Sequence, residues 1–292
     1  MGTQTSNPNH TIPTRRVSFE ESLRDVPKHF AAGEDLILSH LAVCMSAVFP
    51  DGEDFFVRSV RHYRDRITDP VLKRQVAGFI GQESVHGREH RALNDRFQAL
   101  GYHTKHLERM TKRSLALRER IATPMSNLAS TAALEHFTAT LAELLLGNEA
   151  VRAEFGDDAV RNVFLWHALE ESEHKAVAFD VYRAVGGSER TRVWTMKGVR
   201  IAFVVSMAVM VLVSVLRDSA TYRRGNLRRS IKRVRQSPLL TREVWNQLKD
   251  YDRPDFHPDD RDTRTMEAEW RERLFGADGE LSGLLAGSGA AA

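Results

Sequence analysis

The sequence predicts an all-α protein, a four-helix bundle with additional C-terminal helices. Three observations predict it. Helical periodicity with short breaks runs from Gly33 to about Val185, and no segment shows convincing period-2 alternation. Two Glu-x-x-His motifs, Glu83–His86 and Glu171–His174, stand on separate predicted helices. Each is preceded by a glutamate on a helix of its own, Glu53 and Glu135. The order Glu, Glu-x-x-His, Glu, Glu-x-x-His is the ligand set with which a four-helix bundle holds two metal ions in its core.

Taken in order, residues 1–30 read as a flexible polar arm. Residues 31–187 read as the di-metal bundle, with helices near 34–48, 52–67, 70–100, 104–121, 124–146 and 158–184. The breaks are Phe49-Pro50-Asp51-Gly52, Thr68-Asp69-Pro70, Gly101-Tyr102, Thr123-Pro124 and Gly147-Asn148. Asp51, Asp69 and Thr123 are expected N-caps, with Pro70 and Pro124 at first helical positions. Gly186-Gly187 closes the block. Residues 188–236 form an apolar helix plus a basic segment. Residues 237–292 are expected to be a C-terminal extension packing on the bundle, with a short helix at 262–275 and a frayed end from Ala286.

The motif residues occupy positions that the helical pattern reserves for core. Val76, Phe79, Glu83, His86, His90, Leu93 and Phe97 follow one another at alternating steps of three and four. Val160, Phe164, His167, Glu171, His174, Ala178 and Val181 do the same. Glu53 heads a stripe with Phe56, Val57, Val60 and Ile67, and Glu135 lies in line with Leu128, Ala142 and Leu145. Unpaired buried charge costs several kcal/mol at least. Two divalent ions offset the four carboxylates. Carboxylate with imidazole suits iron first, with manganese or zinc as alternatives. The competing reading is a bundle of buried Glu–His and Glu–Arg pairs, with Arg58, Arg61, Arg64 and Arg88 as partners.

His90 and His167 lie about one turn from the motifs on the same stripes. They could be further nitrogen ligands, orient a carboxylate or act as acid and base; a hydrogen-bonded outer histidine is the plainer reading. Thr138, one turn from Glu135, is a candidate for proton delivery. His136 points about 100° away from Glu135 and is not expected to be a ligand. Glu143 reads equally as a cavity acid or a solvated glutamate, Glu170 and Glu173 as surface residues, and His40 as a core histidine.

The chain has 292 residues, 42% hydrophobic and 28% charged, enough for a substantial core. The single Cys44 excludes a disulfide framework and fits a reducing compartment. The first 30 residues lack an apolar run, so no signal peptide and a cytoplasmic location are expected. The net charge of +3 is uneven: residues 217–235 hold eight basic residues against Asp218, a local +7, leaving −4 elsewhere. Aromatics are nearly absent from this run, which argues against nucleic acid. Before it, Ile201–Leu216 is free of charge for sixteen residues, about 24 Å of helix. A spanning helix wants about 20 residues. Residues 194–235 therefore suggest association with the inner face of a membrane; the alternative is a helix buried across the bundle.

Phe49-Pro50-Asp51-Gly52-Glu53, Arg64-Asp65-Arg66-Ile67-Thr68-Asp69-Pro70, Phe79-Ile80-Gly81-Gln82-Glu83 and His174-Lys175-Ala176-Val177-Ala178-Phe179-Asp180 resemble a bacterial family described as predicted metal-dependent hydrolases. The likeness covers roughly residues 30–275. More distantly, the ligand order is similar to ferritin-like di-iron proteins. That resemblance implies a ferritin-like bundle with Glu53, Glu83, His86, Glu135, Glu171 and His174 as metal ligands. It implies that Glu83 and Glu171 bridge while Glu53 and Glu135 each serve one metal. His90 and His167 depart from its pattern. The expected function is O2-dependent hydroxylation or desaturation of a small hydrophobic or lipid-like substrate, with an electron donor and a second copy of the chain as the expected partners. The alternatives are hydrolysis by metal-activated water and non-enzymatic metal binding.

Overall fold

The computed structural model describes residues 11–286. Their regular structure is helical, with isolated bridges Val17–Leu285 and Ala31–Phe155 and no strand among the described residues. The helices are α1 (Leu36–Arg61), α2 (Pro70–Ala99), α3 (Thr104–Ile121), α4 (Pro124–Gly147), the single turn α5 (Glu149–Arg152), α6 (Asp158–His174), α7 (Val177–Ala184), α8 (Glu189–Leu216), α9 (Asn226–Val234), α10 (Arg242–Asp250) and α11 (Arg264–Phe275). The all-α class is as expected. Helices α1, α2, α4 and the α6–α7 pair pack on one another as the bundle; α3 lies against α1, and α8 against α1 and α4.

Two apolar layers fill opposite ends of the bundle. One holds Phe55, Val60, Phe79, Leu128, Phe179 and Tyr182, the other Val43, Leu93, Phe97, Leu146, Val160 and Trp166. Fully burying such a side chain contributes about 1.5–3 kcal/mol. The motif residues fall between the layers, so apolar packing on both sides holds the polar centre in place.

The starts of α2 and α4 follow local chemistry. Asp69 accepts from the Val71 amide and Thr123 from the Ser126 amide, with Pro70 and Pro124 at the first turn. Two expected boundaries differ. The break at 49–52 does not exist: α1 runs through Pro50. Proline has no N–H for the carbonyl four residues back, here that of Ser46. Asn94 Nδ2 donates to this carbonyl at 3.1 Å, so the helix continues. Conversely, the expected helix 158–184 divides at Lys175–Ala176. There the buried Lys175 ammonium reaches Glu143 at 3.2 Å, Thr263 at 2.9 Å and the Arg261 carbonyl at 2.7 Å.

The flexible arm is corrected over its described part. Val17, Phe19, Leu23, Val26 and Phe30 are buried in the core. Gly78 makes room for the segment, since a Cβ there would stand 2.5 Å from the Ile12 carbonyl oxygen. These apolar residues are spaced among charged ones, which hides them from a composition-based reading. The expectations for residues 1–10 and for the frayed end at 287–292 lie outside the described residues.

His40 is a core histidine, as expected. It bonds Ser214 Oγ at 2.7 Å and Asp218 Oδ2 at 3.2 Å, joining α1 to the end of α8. Burial lowers its pKa from 6.5 to about 4, although Asp218 opposes the shift. The folded chain therefore keeps His40 neutral where the unfolded chain binds a proton. Stability from this site is complete above about pH 6.5 and is lost as pH falls toward 4. The loss is on the order of 3 kcal/mol. Urea unfolding at pH 7 and pH 5 should show a smaller pH-dependent drop in His40→Asn than in the parent chain.

Candidate metal centre

The centre draws one to three residues from each of α1, α2, α4 and α6. Glu53 comes from α1, Glu83 and His86 from α2, Glu135 from α4, and His167, Glu171 and His174 from α6. All are buried. Two groups of three could each hold a metal ion: Glu53, His86 and His167, and Glu83, Glu171 and His174. Glu135 Oε2 joins the second group, 3.4 Å from His174 Nε2.

Glu83 and Glu171 lie between the groups. Glu83 Oε1 is 3.1 Å from His174 Nε2, while its Oε2 is 4.0 Å from His86 Nδ1. Glu171 Oε1 is 3.0 Å from His167 Nε2, 3.4 Å from His174 Nε2 and 3.7 Å from His86 Nδ1. Both carboxylates thus face both groups, the placement a bridging ligand requires.

Most of these atoms face a common space without pairing. Both oxygens of Glu53, Glu83 and Glu135, with Glu171 Oε2, His86 Nδ1 and His174 Nε2, are buried and lack an aligned hydrogen bond. Burial is the largest cause pushing the carboxyls of Glu53, Glu83 and Glu135 upward, reinforced by repulsion from neighbouring carboxylates. His174 shifts upward despite burial, because Glu171, Glu135 and Glu83 crowd it. Orphaned buried acceptors are rare and costly. Two divalent cations neutralise four carboxylates and use these lone pairs, so the residues present fit such a pair of ions.

The outer hydrogen bonds orient the rings. His174 Nδ1 lies 2.8 Å from Gln82 Oε1. The Gln82 amide nitrogen donates to the Pro13 carbonyl and to Glu173, so Oε1 is the acceptor and His174 Nε2 turns inward as a bare nitrogen. His86 mirrors this, its Nε2 lying 3.0 Å from Glu170 Oε2. A cation at Nδ1 requires that nitrogen unprotonated and makes Nε2–H the donor.

His167 is ordered through a longer chain. Asn94 spends its amide nitrogen on the Ser46 carbonyl and Glu108, so its oxygen accepts from the Ser46 hydroxyl at 2.8 Å. Ser46 Oγ then accepts from His90 Nδ1 at 2.9 Å, and His90 Nε2 accepts from His167 Nδ1 at 2.6 Å. That leaves His167 Nε2 bare toward Glu53 and Glu171. The structure thus separates the two extra histidines. His167 borders the centre, whereas His90 stands behind it, with burial lowering its pKa. Thr138 Oγ1 donates to the Glu135 carbonyl at 3.0 Å and borders the adjoining cavity.

Other expectations are corrected. Glu170 and Glu173 are buried, not surface residues: Arg15 Nη1 lies 3.0 Å from Glu170 and 2.7 Å from Glu173. Burial is the main cause pushing Glu170 up to about 8, with Arg15 opposing it. Glu143 is neither solvated nor a cavity acid, being paired with Lys175 and Arg261. His136 is turned to the Gln247 carbonyl, away from the centre as expected. Arg58 pairs with Glu119 and Arg88 with Glu89, so neither compensates the central carboxylates. The sequence reading missed Gln82, Ser46, Asn94 and Arg15. A signal for part of this existed: Gln82 and Glu170 each directly precede the glutamate of a motif, and each serves the other motif's histidine.

Gln82→Leu removes the acceptor that orients His174. Metal affinity should fall by about 10–100-fold, read by competition with a chelator, while the circular dichroism spectrum stays unchanged.

A cavity of about 460 Å³ adjoins the centre. His167, Glu171 and Thr138 contribute to its wall, which is otherwise mostly apolar, with Leu41, Met45, Phe49, Phe137, Phe164 and Phe203.

Neither the curated proteins nor the solved structures contain a match to this chain. The family model described as predicted metal-dependent hydrolase matches residues 13–262. Its span takes in the buried N-terminal segment, the bundle and the loop after α10. With most of its length matched, and with clustered buried glutamates and histidines that could hold metal, the chain belongs to the predicted metal-dependent hydrolase family.

Proposed function

We propose that this protein is a dinuclear metal enzyme acting on a hydrophobic substrate, by O2-dependent oxidation at the apolar chain. Glu53, His86 and His167 would hold one ion, and Glu135 and His174 the other, with Glu83 and Glu171 between them. The observation that carries the hydrophobic substrate is the apolar cavity against the centre; oxidation rests on the ligand order. Among the described residues its wall includes no arginine or lysine to clamp a phosphate, and its phenylalanines suit a hydrocarbon. A pair of iron ions supplies, when bound, the reducing equivalents and Lewis acidity that O2 activation needs. The chain's own residues bind and position. The cavity excludes water and lays the substrate chain beside His167 and Glu171. Gln82, Glu170 and His90 keep the three rings aimed inward. Thr138 borders the cavity and is the candidate for passing a proton. Hydroxylation of a C–H bond consumes O2, two electrons and two protons and yields alcohol and water, so a one-electron carrier is the expected partner. The ligand order and bundle packing support a ferritin-like relationship.

Hydrolysis is the second reading, and the family description favours it. Paired ions also lower the pKa of water and polarise an acyl oxygen, and an apolar cavity could hold the acyl chain of an ester.

One experiment separates them. Protein loaded with Fe(II) without O2 is given a reductant, a fatty-acyl substrate and 18O2, then compared with the reaction in H2 18O. Label from O2 in the product with matching O2 uptake supports oxidation. Label only from water, with chain release and no O2 uptake, establishes hydrolysis.

A further inference from the structure

We infer that the outer face of α8 and the basic α9 seat this protein on an anionic membrane surface, from which apolar substrate enters the cavity. This rests on reading the cavity as a substrate site.

Helix α8 has two faces with different roles. Met196, Met207 and Val215 are buried against the bundle. Ile201, Val205, Val209, Leu212 and Leu216, at steps of four, four, three and four, point outward, and Leu212 is 57% exposed. Trp194, seven residues before Ile201, continues the stripe and is 65% exposed. Single exposed apolar residues are ordinary, but a contiguous stripe is not.

The length and hydropathy of α8 are those of a membrane-crossing helix, but its attachments hold it to the bundle. Arg200 does not snorkel outward. It is buried, donating to the Leu248 carbonyl at 2.8 Å and to Asp252 at 2.6 Å. Arg192 is buried against the carbonyls of Tyr251 and Arg253. Pulling α8 into a bilayer would strip both guanidinium groups of these partners. A helix fixed along one face and apolar on the other lies in the membrane interface.

The neighbouring charge identifies the occupant. Arg217, Arg223, Arg224, Arg228, Arg229, Lys232 and Arg235 follow α8 directly and are exposed. Basic groups beside an apolar helix face are drawn to anionic lipid. A second copy seated here would set its own +7 segment near the first. The cavity supplies the link to chemistry. Val204 of α8 and Leu240 are exposed and also line it, so it reaches the surface beside this face. Met207 and Val211 line it from the same helix, placing one wall of α8 on the cavity and the other toward lipid.

The test uses the full chain and vesicles of phosphatidylcholine, with and without phosphatidylglycerol. Co-sedimentation should be at least about tenfold stronger with the anionic lipid, falling as salt rises. Trp194 emission should be quenched by brominated acyl chains. The triple variant Val205→Asp, Val209→Asp, Leu212→Asp should lose binding while retaining helicity and metal content. Should that variant fail to fold, Arg228→Glu with Arg229→Glu, both exposed, should still lose the preference for anionic lipid. Absence of vesicle binding overturns the inference. So does a dimer in ultracentrifugation that the triple variant abolishes without vesicle binding, which would make this face a contact between copies. Glu83→Ala should bind vesicles like the parent chain. Vesicle binding with no turnover of any apolar substrate would retain the membrane seat and remove the proposed chemistry.

Discussion

Glu83→Ala should lower bound metal from about two ions per chain to less than one, with His174→Ala behaving alike. Glu83 reaches toward both triads, so its loss opens both at once. Elemental analysis after desalting from excess Fe(II) reads the effect. The thermal consequence follows from charge. Stripping metal from the parent chain leaves four buried carboxylates facing one space, at a cost of several kcal/mol. A chelator should therefore lower the melting temperature of the parent markedly. It should shift Glu83→Ala far less, because that variant has already lost both metal and one carboxylate. Metal content in Glu83→Ala equal to that of the parent would remove the dinuclear reading.

The second large effect concerns a residue that composition assigns to a flexible arm. Arg15→Ala should destabilise the fold by about 3–5 kcal/mol, the cost of breaking a buried ion pair from one side. Arg15 is the buried counter-charge to Glu170, and it shares Glu173 with Arg271. Its loss releases the segment that carries Phe19 and Leu23 into the core. It also relieves what holds the Glu170 carboxyl down, and so disturbs the orientation of His86. Chemical denaturation gives the first quantity, and metal affinity under chelator competition the second. A change below about 1 kcal/mol would mean that residues 11–30 contribute little to the folded state.

Particular residues show what periodicity can and cannot reveal. Glu83, His86, Glu171 and His174 lie on apolar stripes, and a stripe states which way a side chain points. Once helices pack stripe to stripe, residues on them meet, so the six motif residues were readable as one cluster before any coordinates. Gln82 and Glu170 lie one position off the stripe. Whether such a residue faces solvent or a neighbouring helix depends on crossing geometry, which local sequence does not encode. Pro50 is a further case: it marks a break by local rules, yet Asn94, from another helix, satisfies the carbonyl it frees.

The sequence by itself determined the all-α class, the starts of α2 and α4, the inward face of the six motif residues and the apolar and basic character of 201–235. Each is set by periodicity, capping or composition, interactions spanning a few residues. Only the tertiary structure decided that residues 11–30 belong to the core, that His167 borders the centre while His90 backs it, and that α8 is clamped to the bundle with one face outward. Those outcomes depend on pairs far apart in the chain, Arg15 with Glu173, Ser46 with His90 and Arg200 with Asp252, whose meeting follows from helix packing and not from the order of residues.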